Sequence, residues 1–316
     1  MTRSVLVTGA GGYLGGLLTA SLAQSPGDLE TIVAADLRLP STPLPGVEYE
    51  AFDIRDGKLS AILGNHRVDT VVHLAAVVSA GRKPDRASEH SVDVGGTRNV
   101  LESSLAAGVS KVIISSSGAA YGYHADNPKP LREDDRLRGN AEFGYSDHKR
   151  QIEEMLAQWR RDHPELKQLI LRPGTIVGAT TRNQITDLFD PRLILGLRGA
   201  STPFVFIWDE DMVAILRRGL DTDLTGIFNV AGDGVMTMRE IARRMGKRHV
   251  ALPVSLVRGV LWLLRRLRLT QYGPEQVDFL RYRPVLDNTR LKEQFGYLPQ
   301  KTTEEAFDMF VKGRNG

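Results

Sequence analysis

The sequence predicts an α/β protein, a doubly wound parallel sheet followed by a smaller C-terminal substrate-binding domain. Three observations support this. Short apolar runs alternate with helical patterns through the first half of the 316 residues. Several of those runs are unbroken in Val, Ile and Leu, the pattern of strands covered by helices on both faces. A glycine-rich turn, Thr8-Gly9-Ala10-Gly11-Gly12-Tyr13-Leu14-Gly15, joins the first run to the first helical pattern.

In chain order, strands are expected at Val5–Thr8, Thr31–Ala35, Tyr49–Phe52, Thr70–Leu74, Lys111–Ser115 and Gln168–Leu171. Helical patterns occupy Leu14–Gln24, Gly95–Ala107 and Tyr145–His163. Asp126-Asn127-Pro128-Lys129-Pro130 reads as a loop, because proline lacks the N–H that regular pairing needs. After Arg172-Pro173 the rhythm changes, so residues 1–172 read as a cofactor domain and 173–316 as mainly a substrate domain. Gly178–Gly199 reads as loops and short helices, and Phe204–Trp208 and Gly226–Val230 as strands, the latter returning to the first sheet. Trp208-Asp209-Glu210-Asp211 reads as a helix N-terminus, where the dipole favours acids. Val254–Leu269 has helical apolar spacing at Val257, Val260, Leu261, Leu264 and Leu267, among Arg258, Arg265, Arg266 and Arg268. Its expected role is a substrate-domain helix with its apolar face turned inward, and membrane contact is not expected.

Composition excludes several functions. The net charge of +3 is too small to argue for a nucleic-acid partner. With no cysteine there is no disulfide, thiolate nucleophile or cysteine-ligated zinc. No secretory signal pattern opens the chain, and no run of about 18 apolar residues occurs. The resulting expectation is a cytoplasmic protein. No spaced histidine joins the acids at 209–211, so no metal site is expected.

The glycine turn carries cofactor chemistry. Gly9 can adopt a positive φ, Gly12 leaves room for a pyrophosphate, and Gly15 lets helix and sheet pack closely. The helix opening at Tyr13 and Leu14 aims free N–H groups and its positive end at the phosphates. Asp36, ending the second strand ahead of Leu37, suits the ribose hydroxyls of NAD and repels a 2′-phosphate, so NADP is less expected. Asp53 and Ile54 close the third strand where an adenine edge could meet them. Leu74, Ala75 and Ala76 close the fourth with small side chains beside a flat-lying cofactor, and Ser115 at the end of the fifth strand and Pro173, just past the sixth, complete the expected cofactor set.

A second set carries proton chemistry. Tyr145 and Lys149 share a helix face at i, i+4. A tyrosine ordinarily ionises near about 10, and a neighbouring ammonium favours the phenolate a general base requires. Ser117, ending the run Ser115-Ser116-Ser117, can hold a substrate hydroxyl or carbonyl. His73, His124 and His148 show no sequence partner, and Tyr121-Gly122 is expected to line the pocket.

These residues resemble the extended short-chain dehydrogenase/reductase superfamily, the NAD-dependent epimerase/dehydratase family. The resemblance rests on TGAGGYLG, Asp36, Asp53-Ile54, HLAA, SSSGAAYG, YSDHK, Leu171-Arg172-Pro173 and Gly296-Tyr297-Leu298-Pro299. Leu137-Arg138-Gly139, the Asn229–Gly234 segment and Pro274-Glu275-Gln276 are most similar to a UDP-glucose 4-epimerase-like subgroup. It implies a Rossmann-type sheet and catalytic Ser117, Tyr145 and Lys149. It also implies NAD-dependent hydride transfer at a secondary alcohol or ketone, a sugar-nucleotide substrate, and a homodimer formed through 99–107 and 145–159. Three departures stand out. Asp93 replaces a family Asn, no Asn lies in Gly174-Thr175-Ile176, and Phe204 stands near a family diphosphate-binding Arg. Arg192, Arg281 and Arg283 are candidate replacements. Gly118, Ala119 and Ala120 carry no acid, which sets dehydration and decarboxylation aside. The alternatives to an epimerase are an NAD(P)-dependent dehydrogenase or reductase of a non-nucleotide substrate, and a weakly catalytic NAD-binding protein.

Overall fold

The computed structural model describes residues 2–77, 85–267, 269–270 and 273–315. Arg268, part of the apolar Arg-rich segment, lies outside them. The first half contributes β1 (Ser4–Thr8), α1 (Tyr13–Gln24), β2 (Thr31–Asp36), β3 (Glu48–Ala51), α2 (Leu59–Asn65), β4 (Thr70–His73), α3 (Arg86–His90), α4 (Gly96–Ala106), β5 (Lys111–Ser115), α5 (Gly144–Asp162) and β6 (Lys167–Pro173). The remainder supplies β7 (Thr175–Val177), α6 (Gln184–Asp187), β8 (Leu193–Leu197), β9 (Pro203–Phe204), β10 (Phe206–Trp208), α7 (Asp209–Asp221), β11 (Gly226–Val230), β12 (Met236–Thr237), α8 (Met238–Arg244), β13 (Arg248–Leu252), α9 (Val254–Arg266), α10 (Gln276–Arg281), α11 (Thr289–Glu293) and α12 (Thr303–Asn315).

Seven strands form one parallel sheet in the order β11-β6-β5-β4-β1-β2-β3. The expected return of 226–230 occurs: β11 pairs in parallel with β6, Phe228 opposite Leu171. Strand period sorts the core. Val5 and Val7 face one side with Leu18, Leu22, Ile215 and Leu216. Leu6 faces the other with Val100, Leu101, Ile152 and Leu156. Both faces are buried, which is why these strands read as continuous apolar runs. A third core gathers Phe189, Phe204, Phe206, Phe307 and Phe310.

Several expectations need correction. Phe204–Trp208 is two strands: β9 pairs with β12 and β10 with β7. The expected loop region 178–199 contains β8, paired with β13. A π-helical turn over Ser91–Gly95 precedes α4, which therefore begins one residue later than the sequence pattern. No residue of α9 is buried, and Val260 of the expected inward set is exposed, as are Leu256, Leu263 and, just past the helix end, Leu267, so its apolar side is not turned inward as a whole. Its aliphatic residues lie all round the helix, so periodicity alone could not say which side is covered.

The order of the sheet reverses between β1 and β4, so the turns after these strands open one crevice at the strands' carboxyl ends. Helix α5 is fastened beside that crevice by a buried network. Arg172 on β6 donates to both carboxylate oxygens of Glu153 on α5, at 2.7 and 2.6 Å, and Ser116 donates to Glu153 at 2.6 Å. Removing one partner of such a buried pair costs about 3–5 kcal/mol.

Candidate active site

The turn after β1 needs its glycines. Gly9 has φ +71°, and a Cβ there would lie 2.7 Å from the Ala75 nitrogen. A Cβ on Gly15 would lie 2.1 Å from the Gly9 carbonyl oxygen. Gly12 caps α1 with no side-chain bond, and the first turn carries no acid. The N–H groups of Tyr13, Leu14 and Gly15 therefore remain free for an anion.

Asp36 stands against this turn. Its carboxylate accepts from Gly11 N–H at 2.9 Å and from Leu37 N–H at 2.8 Å. Leu37 itself is exposed. Asp53 is held by Arg55 through two side-chain bonds of 2.6 and 2.9 Å, and that pairing holds its carboxyl below the usual range. Ile54 is buried against Gly96.

One cavity of about 410 Å³ is lined by Gly9, Gly12, Tyr13, Leu14, Gly15, Leu74, Ala76, Ser115, Ser117, Tyr145, Lys149 and Pro173. These are twelve of the residues singled out in the sequence, brought together from five separate segments. Asp36, Leu37, Asp53, Ile54 and Ala75 are not part of its lining. Asp36 and Ala75 flank the glycine turn, while Asp53 and Ile54 lie just past the end of β3, not in it as the sequence suggested.

Lys149 is buried on α5 and donates to the Ser115 carbonyl at 3.0 Å. Its ammonium lies 5.7 Å from the centre of the Tyr145 ring. Tyr145 is half-buried. The Ser117 hydroxyl oxygen accepts from Ala119 N–H at 3.1 Å, which leaves its proton available to donate. A fixed charge beside a phenol, with a hydroxyl donor in the same cavity, can move a proton and hold an oxygen.

Behind these residues the partners differ from expectation. His148 is paired: its Nδ1 lies 2.9 Å from Asp93, whose other oxygen accepts from Val77 N–H at 2.8 Å. Both groups facing the Asp93 carboxylate are donors, so an acceptor-only side chain suits the position. The pair joins α5 to the segment that follows β4. His73 bridges Thr8 and Thr97 at 2.8 and 3.0 Å, and burial pushes it down to about 3, so it is neutral at pH 7. His124 lies 2.9 Å from the Gly139 carbonyl. Tyr121 is not in the cavity. It is fully buried and donates to Asn229 at 2.8 Å. Gly122, at φ +79°, turns the chain so that Tyr123 lines the cavity instead.

The far wall was not legible beforehand. Tyr123, Phe143 and Phe279 form a ring cluster with centroid separations of 4.4 to 5.8 Å. Arg283 lies over Phe204 at 4.2 Å and Phe279 at 5.2 Å. Its Nη2 donates to Thr175 at 3.3 Å, while its buried Nη1 has no partner. Burial lowers its basicity. Of the three candidate arginines, only Arg283 lines the cavity. Arg192 is exposed, and Arg281 stacks on Tyr282.

Comparison with known proteins gives a consistent picture. The sequence model of the NAD dependent epimerase/dehydratase family matches residues 5–209. An uncharacterised protein of Mycobacterium tuberculosis is 30% identical over 99% of this chain and 84% of its own length. A UDP-glucose 4-epimerase of Erwinia amylovora is 32% identical over 58% of this chain and 56% of its own. The structure of a Thermus thermophilus UDP-glucose 4-epimerase complex with NAD superposes with a TM-score of 0.75 at 21% identity, covering 99% of each chain.

Proposed function

The chain belongs to the NAD dependent epimerase/dehydratase family, and we propose that it is an NAD-dependent oxidoreductase acting on a sugar nucleotide at a secondary alcohol, in the manner of a 4-epimerase. One observation carries this reading: the glycine turn and the Ser117, Tyr145, Lys149 set share a single cavity.

The residues fit the cofactor. Gly9 and Gly15 let the turn pack closely against Ala75 and against the start of α1, where a Cβ would collide with backbone, and three free N–H groups open α1. Asp36 at the turn favours ribose hydroxyls over a 2′-phosphate, which supports NAD over NADP. When bound, NAD supplies the two-electron oxidant for the carbinol carbon. Tyr145 takes the proton of the substrate hydroxyl. Lys149, fixed by the Ser115 carbonyl, stabilises the phenolate before it takes that proton and again once the proton is given back. Ser117 donates to the substrate oxygen and holds it in line. In an epimerase Tyr145 would give the proton back as hydride returned to the other face of the ketone, whereas in a dehydrogenase the ketone would be released with the cofactor left reduced.

Arg283 supplies the positive charge that Phe204 lacks, and its unpartnered Nη1 is suited to a phosphate oxygen. A second reading, a dehydrogenase of a less polar alcohol, is favoured by the aromatic wall of Tyr123, Phe143 and Phe279. Incubation with NAD and UDP-glucose, UDP-galactose or apolar secondary alcohols separates the two. Sugar interconversion without net NADH supports the epimerase, and stoichiometric NADH from an apolar alcohol supports the dehydrogenase. Inertness of wild type and Tyr145→Phe alike overturns both.

A further inference from the structure

Helix α9 is exposed on the side where a surface helix is ordinarily polar. None of its thirteen residues is buried. Val254, Val257, Leu261 and Leu264 are half-buried and face the protein. Leu256, Val260, Leu263 and, just past the helix end, Leu267 recur at spacings of four, three and four, so they form one outward strip. These four and Trp262 are each between 46% and 57% exposed.

Two ion pairs hold the helix in this orientation. Arg258 meets Asp278 of α10 at 2.7 Å, and Arg265 meets Glu275 at 2.8 Å. Seven residues apart, the two arginines lie on one flank of α9, so the strip cannot roll inward without breaking both pairs. Immediately before α9, Val250 of β13 pairs across to Leu195 of β8, and both are exposed.

We propose that α9 is a docking surface for an anionic lipid membrane, lying in the interface plane with its leucine strip among the acyl chains. Charge selects this occupant. The helix carries no acid, and while Arg258 and Arg265 are paired with Asp278 and Glu275, Arg266 beside the strip makes no ion pair among the described residues. Aliphatic side chains on one side, arginine beside them and an indole at the margin are the composition of helices that lie on bilayers. Area argues against a second copy. With Leu269, the exposed strip offers roughly 600 Å², against about 800 Å² per partner in a stable protein interface. No helix among the described residues is long and apolar enough to cross a membrane, so the contact is with the surface. Docking would bring α10 to the bilayer, and α10 carries Phe279 of the substrate cavity. The inference is independent of the sugar-nucleotide reading.

The test is flotation of the 316-residue chain with vesicles of phosphatidylcholine, alone or with about a third phosphatidylglycerol. The protein should float with the mixed vesicles, remain behind with the neutral ones, and release as salt rises. Leu263→Glu and Arg266→Glu should each lower the bound fraction about tenfold or more, with Arg266→Lys retaining it. Both sites are exposed, so Tm should not fall in any variant. Absence of wild-type binding to either vesicle overturns the proposal, as does equal binding by Leu263→Glu. A concentration-dependent dimer in light scattering that Leu263→Glu dissociates identifies a second copy as the occupant and also overturns it.

Discussion

Replacing Gly15 by alanine tests the cofactor turn through a single methyl group. That methyl would lie 2.1 Å from the Gly9 carbonyl oxygen and 2.8 Å from the Ala10 Cα. Both are backbone atoms, so no side chain can step aside. Relief requires α1 to move outward by about 1 Å to reach ordinary contact distance. Leu18 and Leu22 of α1 are buried in the core with Val5 and Val7, so the shift loosens that packing. Overpacking of this kind costs about 1–3 kcal/mol. The free N–H groups at Tyr13 and Leu14 move with the helix, and misplacement by about 1 Å can cost on the order of 100-fold in function. Gly16 provides the control. A Cβ there meets only the Ala10 oxygen at 3.6 Å, an ordinary contact, and alanine gains about 1 kcal/mol of helix propensity. Thermal denaturation and calorimetric NAD titration of both variants read the difference. Gly15→Ala should lose both stability and NAD affinity, and Gly16→Ala neither. A Gly15→Ala protein with wild-type Tm and NAD affinity would refute the reasoning.

Three further outcomes are expected. Asp36→Ala should weaken NAD by about 1–2 kcal/mol in titration and narrow its advantage over NADP, because a charged acceptor is lost and a repulsion with it. Arg283→Met should weaken a sugar nucleotide by about 2–5 kcal/mol in titration, since the phosphate loses its charged partner. It should leave Tm level or raised, since the guanidinium is buried with Nη1 unpartnered. His73 predicts acid lability. Its folded value of about 3 lies below the 6.5 of a free histidine. At pH 7 it is neutral in both states, whereas between 6.5 and 3 the unfolded chain takes up a proton the folded one refuses. Stability therefore falls with pH by about 1.4 kcal/mol per unit in that window. Urea titrations should show wild type losing about 2 kcal/mol more than His73→Gln between pH 7 and 5.

The sheet was legible because burial on both faces leaves continuous runs such as Val112-Ile113-Ile114, and because Gly9 and Gly15 meet requirements that no other residue fulfils as well. The proximity of Tyr145 and Lys149 was legible because four residues make about one helical turn. Contacts between distant segments left no such trace. Arg283 reaches Thr175 across 108 residues and His148 reaches Asp93 across 55. The exchange of Tyr121 for Tyr123 at the cavity turns on the positive φ of Gly122, and an isolated glycine does not announce its sign. In α9, aliphatic residues occupy both sides of the helix, so the spacing grouped Val260 and Leu267 with Val257, Leu261 and Leu264, whereas the structure leaves the first two exposed and the other three half-buried.

The central claim is that Tyr145 moves the proton in a cavity shared with NAD. Single-turnover absorbance at the reduced-nicotinamide band tests it most directly, with wild type and Tyr145→Phe saturated with NAD and mixed with UDP-glucose. The account predicts transient NADH formation in wild type, and a rate lowered by about 100-fold or more in the variant, whose NAD affinity stays within a few-fold of wild type. Equal transients from the two proteins would contradict it.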